Sequence, residues 1–191
     1  MYEQLLTHIG RYVTLSEKEQ QYLVASLQYE EVPRKGFLLK AGAVCTGRYF
    51  VLSGNFRQYT IRENDTEQIV QFGLPGWWLC DYHSFEQQVP SGYYIQATAA
   101  SSVAIITAAA QEELLQQVPA LERYFRMVLQ RACDAALSRI NSLFSESGEE
   151  RYLKFARTFP DFVQQVPQYM LASFLGLTPE FISMIRARRN K

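Results

Sequence analysis

Apolar positions change their period twice along this chain. From residue 3 to 27 they recur at helical spacing: Leu5, Leu6, Ile9 and Val13 mark one stripe, and Tyr22, Leu23 and Leu27 a second. Between the two, Ser16 with Glu19 three residues later is a capping-box pattern that starts a new helix. From about 29 to 107 the pattern becomes short β-rich runs, each bounded by turn-forming residues. The runs are Gly36–Leu39, Gly47–Leu52, Phe56–Ile61, Gln68–Phe72, Tyr93–Ala97 and Val103–Ile106. Ser53-Gly54-Asn55 reads as a tight turn and Glu63-Asn64-Asp65-Thr66 as a hairpin tip. Short strands at near-regular spacing predict a barrel or jelly roll, whose interior is a natural small-molecule pocket.

After Thr107 the period returns to helical. Pro119 fits the first turn of a long helix, and Val118, Leu121, Phe125, Val128, Ala132 and Ala135 follow alternating spacings of three and four. Leu129, Ala136, Ile140 and Leu143 widen that stripe on one flank. Such a helix buries one side either on a second copy of itself or on its own β-domain. In the first case Leu121, Phe125, Val128, Ala132 and Ala135 are the dimer seam, with the two small alanines suiting close approach. Ser145-Glu146-Ser147-Gly148 is the clearest break. The expected division is a β-roll domain with flanking helices at 1–117, a long helix at 118–145 and a second domain at 149–191.

The segment from Val166 to Arg189 is the most informative. Pro167 opens a short helix with apolar Met170, Leu171, Phe174 and Leu175, and Gly176 stops it. Leu177 is the buried turn position, Thr178 caps the next helix, Pro179 is its first residue, and Glu180 sits at the positive helix end. Phe181, Ile182 and Ile185 point inward. This is helix-turn-helix grammar, although a plain αα-hairpin obeys the same capping rules. The basic finish at Arg186, Arg188, Arg189 and Lys191 favours a surface that meets phosphates.

Charge agrees with that division. The 191 residues carry no formal net charge, yet residues 1–150 hold 12 Lys and Arg against 17 Asp and Glu, whereas 151–191 hold 7 against 2. A chain that is 48% hydrophobic and 20% charged is an ordinary globular composition. No apolar run approaches the roughly 20 residues that span a bilayer, and the first fifteen residues lack a secretory pattern, so the expectation is cytoplasmic, with no membrane partner. Cys45, Cys80 and Cys133 form no CxxC pair, and His8 and His83 share no ligand spacing. They are expected as buried or incidental thiols and surface imidazoles, with no disulfide, metal or cofactor. No catalytic constellation is evident, so no enzyme is expected. A cupin-like metal site needs two or three histidines in the roll, and only His83 lies there.

The order of parts resembles the Crp/Fnr (cyclic-AMP receptor protein) family of bacterial transcription regulators, in the branch common in Bacteroidetes. The resemblance is carried by Pro33-Arg34-Lys35-Gly36 through Ala41-Gly42, by Tyr49-Phe50-Val51-Leu52-Ser53-Gly54-Asn55-Phe56-Arg57, and by Leu171-Ala172-Ser173-Phe174-Leu175-Gly176-Leu177-Thr178-Pro179-Glu180-Phe181-Ile182-Ser183. It implies an α+β fold: an N-terminal β-roll (double-stranded β-helix or jelly roll) of the cyclic-nucleotide-binding type, a long dimerisation helix and a C-terminal helix-turn-helix domain. The partners it implies are double-stranded DNA, a second copy of the chain, RNA polymerase and a small-molecule effector. The chain stops too soon after the recognition helix for the family's full wing.

By the same resemblance the DNA-facing residues are Thr178, Glu180, Ser183, Met184, Arg186, Arg188 and Arg189. Pro179 and Met184 stand where many relatives place base-reading arginines, so Glu180, which can accept from cytosine N4, is the base-contact candidate. In the phosphate-binding cassette of the roll, Cys80 and Asp81 replace the family's Gly-Glu pair, and Ser91 stands at the arginine that clamps a cyclic phosphate. A phosphate held without a guanidinium lacks charge-assisted bidentate bonds, so tight cyclic-AMP binding is not expected. Trp77, Trp78, Asp81, Tyr82, Ser91 and Tyr93 are candidates to line a pocket for another effector, with Phe85 and Tyr94 nearby; the alternative is that these aromatics are core and rim. The rival to a DNA-binding regulator is a β-roll module that binds a small molecule or a protein and no DNA.

Overall fold

The computed structural model describes Met1 to Arg189, the side chain of Arg189 excepted, so the predicted contributions of the Arg189 side chain and of Lys191 lie outside the described residues. Eight strands form two four-stranded sheets, one in the order β1 (Gln28–Val32), β8 (Ser101–Thr107), β3 (Gly47–Ser53), β6 (Trp78–Leu79), the other β2 (Phe37–Leu39), β7 (Tyr94–Ala97), β4 (Phe56–Ile61), β5 (Glu67–Gly73). All the pairings are antiparallel. The two sheets face each other as the β-roll read from the sequence.

Strand alternation decides what each face meets. Tyr49, Val51, Phe56, Leu79, Ile95, Val103 and Ile105 point between the sheets and form the interior of the roll. Their neighbours Phe50, Trp78, Ala104 and Ile106 point outward from the first sheet, where helices cover them. Those helices are α1 (Glu3–Gly10), α2 (Glu17–Ala25), α4 (Ala108–Gln117) and the first turns of α5 (Ala120–Ser145). On the second sheet, Tyr59, Ile69 and Phe72 face outward into a core shared with the C-terminal helices. Both faces of the roll are thus covered. That explains why Val103-Ala104-Ile105-Ile106 is a continuous apolar run and every one of its residues is buried.

Two turns need their glycine or Asp. Gly54 has φ +73°, and a Cβ there would strike Ser101, so the β3–β4 turn admits no side chain. Asp65 takes φ +60° at the β4–β5 tip. The Ser16–Glu19 capping box forms as read, with Ser16 Oγ accepting from the Glu19 amide.

Three elements lie outside the runs named above: β1, β6 and α3 (Tyr82–Gln87). Strand β1, sequence Gln-Tyr-Glu-Glu-Val, pairs only with β8 and exposes its first four residues, so it carries no buried alternation to read. Strand β6 is two residues long, and α3 is six, too short for a helical period.

Among the thiols and imidazoles, only His8 departs from expectation. Cys45 and Cys80 are both buried and meet inside the roll. Cys45 Sγ donates to the Gly47 carbonyl at 3.4 Å; the neighbouring Cys80 thiol holds Cys45 below its usual range, and Cys45 together with burial pushes Cys80 up. His8 is not a surface residue: its ring packs between Tyr12, Phe50 and Tyr124, and its pKa is lowered by burial and by Arg11 and Arg131.

Tyr124 ties α5 to the roll. Its ring is fully buried, and its hydroxyl accepts from Trp78 Nε1 at 2.7 Å and meets His8 Nδ1 at 2.8 Å. Removing that oxygen leaves the buried indole N–H without a partner. Tyr124→Phe is therefore expected to cost about 1–3 kcal/mol, read as a lower midpoint in urea unfolding with an unchanged slope.

Candidate functional site

The C-terminal unit consists of α6 (Gly148–Thr158), α7 (Pro160–Gln165), α8 (Gln168–Leu175) and α9 (Pro179–Arg189). Ser147 and Glu150 make a capping box that starts α6 directly after α5. Helix α8 ends at Gly176, which takes the left-handed φ of +67° that a β-carbon disfavours. Thr178 Oγ1 then accepts from the Phe181 amide at 3.2 Å and caps α9. The pair packs through Met170, Leu171, Leu175, Ile182 and Ile185. Gly148 fits because a Cβ there would strike Leu177 and Phe181, so α6 crosses close beneath the turn.

One face of α9 is left to solvent. Thr178, Glu180, Ser183, Met184, Ala187 and Arg188 are all exposed, while Ile182 and Ile185 close the inner side. Ser183 Oγ accepts from Gln168 Nε2 at 2.8 Å, which ties the outer face to the start of α8. The amides at the N-terminus of an 11-residue helix and the exposed Arg188 make a surface able to meet an anionic backbone.

Arg186 has a different place from the one its sequence suggested. It is half-buried, with Nε donating to the Tyr152 hydroxyl at 2.8 Å and Nη2 to the Val163 carbonyl at 3.0 Å. Its guanidinium lies 5.8 Å from the Tyr152 ring. Engaged with α6 and α7, this guanidinium braces the recognition helix from within and is not presented to a phosphate.

Helix α5 divides the expected seam. Leu121 is fully buried against the protein's own roll, and Phe125 and Val128 are partly buried in the same core. At 3.6 residues per turn that line continues through Ala132 and Ala135, which are exposed, to half-buried Arg139, so only the first turns of the face named from spacing close against the chain's own roll. The outward apolar face is about 100° further round: Leu129, Cys133, Ala136, Leu137, Ile140 and Phe144. Leu129 and Ile140 are 50% exposed, Leu137 59% and Phe144 87%. The flank is the more continuous apolar face available to a partner. Sequence could have shown this, because Arg139 interrupts the supposed seam whereas nothing charged interrupts the flank.

The six effector-pocket candidates fall in four places. Trp78 is core, beneath α5. Trp77 is on the surface, with its ring 5.6 Å from Phe159. Tyr82 lies under the Arg48 guanidinium at 5.7 Å. Only Asp81, Ser91 and Tyr93 meet as a polar group: Ser91 Oγ donates to Asp81 Oδ2 at 2.6 Å and accepts from the Tyr93 amide at 2.9 Å. Asp81 Oδ1 also caps α3 by accepting from the Ser84 amide. Of the neighbours, Phe85 is inside the roll and Tyr94 stacks on Tyr59 at 5.0 Å outside it. One aromatic pocket is therefore not what these residues build; alternation sends adjacent ones to opposite faces. The carboxylate and hydroxyl of the cassette are instead bonded to each other.

Sequence reasoning missed two further residues, Arg139 and Ser173, which join α5 and α8 to the edge of β5. Among the described residues no group of three or more metal-ligating side chains occurs, and no helix is long and apolar enough to cross a membrane.

Comparison with known proteins follows the same division. The cyclic nucleotide-binding domain family matches residues 29–118. The anaerobic regulatory protein of Aggregatibacter actinomycetemcomitans is 28% identical over 171 residues, covering 84% of this chain and 66% of that protein. The fumarate and nitrate reduction regulatory protein of Escherichia coli is 28% identical over 193 residues, covering 93% of this chain and 75% of the other. The chain thus spans two thirds to three quarters of the length of these relatives. Among solved structures, the c-di-GMP responsive global regulator CLP of Xanthomonas campestris superposes with a TM-score of 0.73 at 13% identity, covering 92% of each chain, a likeness of fold.

Two outcomes follow from the side-chain placement. Arg186→Met is expected to lower the thermal midpoint by several degrees, because Tyr152 and the Val163 carbonyl lose a shared donor, whereas exposed Arg188→Met leaves it within about a degree. Mild copper-catalysed oxidation of native Cys133 is expected to link two chains through α5. Ala135→Cys in a Cys133→Ser background, on the line that continues the buried turns, is expected to link far fewer, and the reverse ranking restores the face read from spacing.

Proposed function

We propose that this chain is a member of the Crp/Fnr family of bacterial regulators and acts as a sequence-specific DNA-binding transcription regulator in the form of a homodimer. The observation that carries this reading is α9. It is a capped helix with an exposed outer face, held by a half-buried arginine brace, at the end of the only strongly basic part of the chain.

Two chains paired through the outward face of α5 carry two such helices related by a two-fold axis. Each enters a major groove, with half-sites about one helical turn, roughly 34 Å, apart. Glu180 and Met184 lie on the outer face for base edges. Thr178, Ser183 and Arg188 serve phosphates, and the braced Arg186 keeps the helix straight beneath them. An interface of this kind rests on few cations, so affinity is expected to be modest and to fall with salt only in proportion to the few phosphates neutralised.

The effector is the less defined part of the proposal. The Asp81–Ser91 bond uses the two cassette groups on each other, and no arginine stands at the clamp position. Cyclic AMP is therefore not the proposed ligand; the roll keeps its shape and answers to a different molecule, or to none.

Gel shifts test the reading, using duplexes selected from a random library by the protein itself. A symmetrical site is expected to emerge, with affinity falling about tenfold or more between 50 and 200 mM salt. Arg188→Ala should weaken binding to all sequences alike, and Glu180→Ala should relax preference at one position of each half-site. No retained duplex at low salt would favour the rival, a β-roll module without DNA binding. In parallel, cyclic AMP at millimolar concentration is expected to leave the melting temperature unchanged; a large rise would overturn the reading of the cassette.

A further inference from the structure

Arg139 sits where three elements meet. From α5, its Nη1 donates to the Val70 carbonyl of β5, and its Nη2 reaches the Ile69 carbonyl at 3.4 Å and donates to the Phe174 carbonyl of α8 at 2.7 Å. Its guanidinium lies 4.0 Å from the Phe174 ring centre. Burial lowers its pKa, and among the described residues no ion pair includes it. A desolvated guanidinium whose two Nη groups meet backbone carbonyls rather than an acid, with its buried Nε left unpartnered, is an uncommon way to place a charge. It suits this position because only a planar, multi-donor head can gather carbonyls from two elements at once, one of them at the negative end of a helix.

Ser173 makes the reciprocal connection from α8. Strand β5 is the edge of its sheet, so its outward amides have no strand partner. Ser173 Oγ accepts from the Ile69 amide at 2.9 Å and donates to the Glu67 carbonyl at 2.8 Å. Phe72 and Phe174 then stack at 5.0 Å beside these bonds, and Phe72 meets Phe162 at 4.8 Å. The first helix of the helix-turn-helix therefore finishes the edge of the β-roll, and Arg139 locks that joint to the long helix.

We propose that Arg139 and Ser173 are positioning residues that set the distance and rotation between the two recognition helices, and so the half-site spacing the regulator accepts. The proposal rests on the DNA-binding reading above. Its physical content is leverage. Helix α5 carries the face that pairs two chains, while α9 follows α8 after a three-residue turn. Any tilt of α8 on β5 is passed to α9 in both protomers with opposite sense. A shift of one base pair moves a half-site by about 3.4 Å and roughly 35°, which a locked joint refuses and a loosened one follows.

The test uses the full chain, with Arg139→Met, which keeps the stem on Phe174, with Arg139→Lys as the conservative variant, and with Ser173→Ala on the opposite element. Two readouts are compared: hydrogen exchange of the Ile69 amide, and affinity for the selected duplex rebuilt with half-sites one to three base pairs nearer or farther. In the wild type the Ile69 amide is expected to be protected, and a one-base-pair shift to cost about tenfold in affinity. Arg139→Met and Ser173→Ala are expected to speed exchange at Ile69 and to cut that penalty to about threefold or less, with Arg139→Lys between. Loss of protection with an unchanged spacing profile would overturn the proposal while leaving the regulator reading intact. A rise in affinity at every spacing would also overturn it, showing that the joint holds the protein off DNA. Wild-type protein that ignores every duplex would sink both the regulator reading and this role, while exchange at Ile69 would still show whether the joint exists.

Discussion

A single 26-residue helix, α5, carries two apolar faces about 100° apart, and one chain can cover only one of them. The inner face, through Leu121 and Tyr124, closes the core between the first sheet and the N-terminal helices. The outer face leaves Leu129, Leu137, Ile140 and Phe144 in solvent. Burying a side chain of this kind fully is worth about 1.5–3 kcal/mol, so the uncovered stripe is a large unmet driving force along one straight edge. A second copy meets it in register, since a two-fold axis places identical faces against each other. In the proposed pairing the orientation of both recognition helices, and hence the DNA they can span, is set by this one edge and by how firmly α8 is held to it.

That hold is what distinguishes the C-terminal unit from a tethered domain. Its core is continuous with the outer face of the second sheet through Ile69 and Phe72, and polar bonds from Arg139 and Ser173 close the edge of β5. The roll thus has both outer faces covered, one by the helices around α1 and α5 and the other by the helix-turn-helix. A change inside the roll that shifts β5 acts directly on α8. The cassette around Asp81 is two strands away, and its carboxylate is committed to Ser91 and to the cap of α3. Family and fold alone therefore do not decide what moves that strand; the chemistry of this particular site does.

How much of this was legible depends on how locally each feature is encoded. Central strands announced themselves because their neighbours are fixed by alternation, and the helix ends by Ser16, Gly176 and Thr178, whose capping bonds reach no further than three or four residues. Strand β1 was silent because an edge strand rich in glutamate buries almost nothing. The meeting of Cys45 with Cys80, the inward turn of Arg186, and the division of Trp77 from Trp78 all depend on contacts between distant elements, which spacing does not report. The stripe of α5 is divided: Leu121, Phe125 and Val128 pack on the chain's own roll, and Ala132 and Ala135 stay exposed. A regular 3-4 stripe shows that a helix has a buried side, but not whose core buries it. The charge at position 139 held that information.

The central claim is that two chains, joined through the outer face of α5, act together on one duplex. Native mass spectrometry of the protein with its selected duplex tests it most directly, because the mass counts chains per DNA. The account predicts two chains on a duplex carrying both half-sites, and loss of that complex when Ile140 is replaced by aspartate, with the β-roll still folded. A complex containing one chain, or a two-chain complex that survives Ile140→Asp, would contradict it.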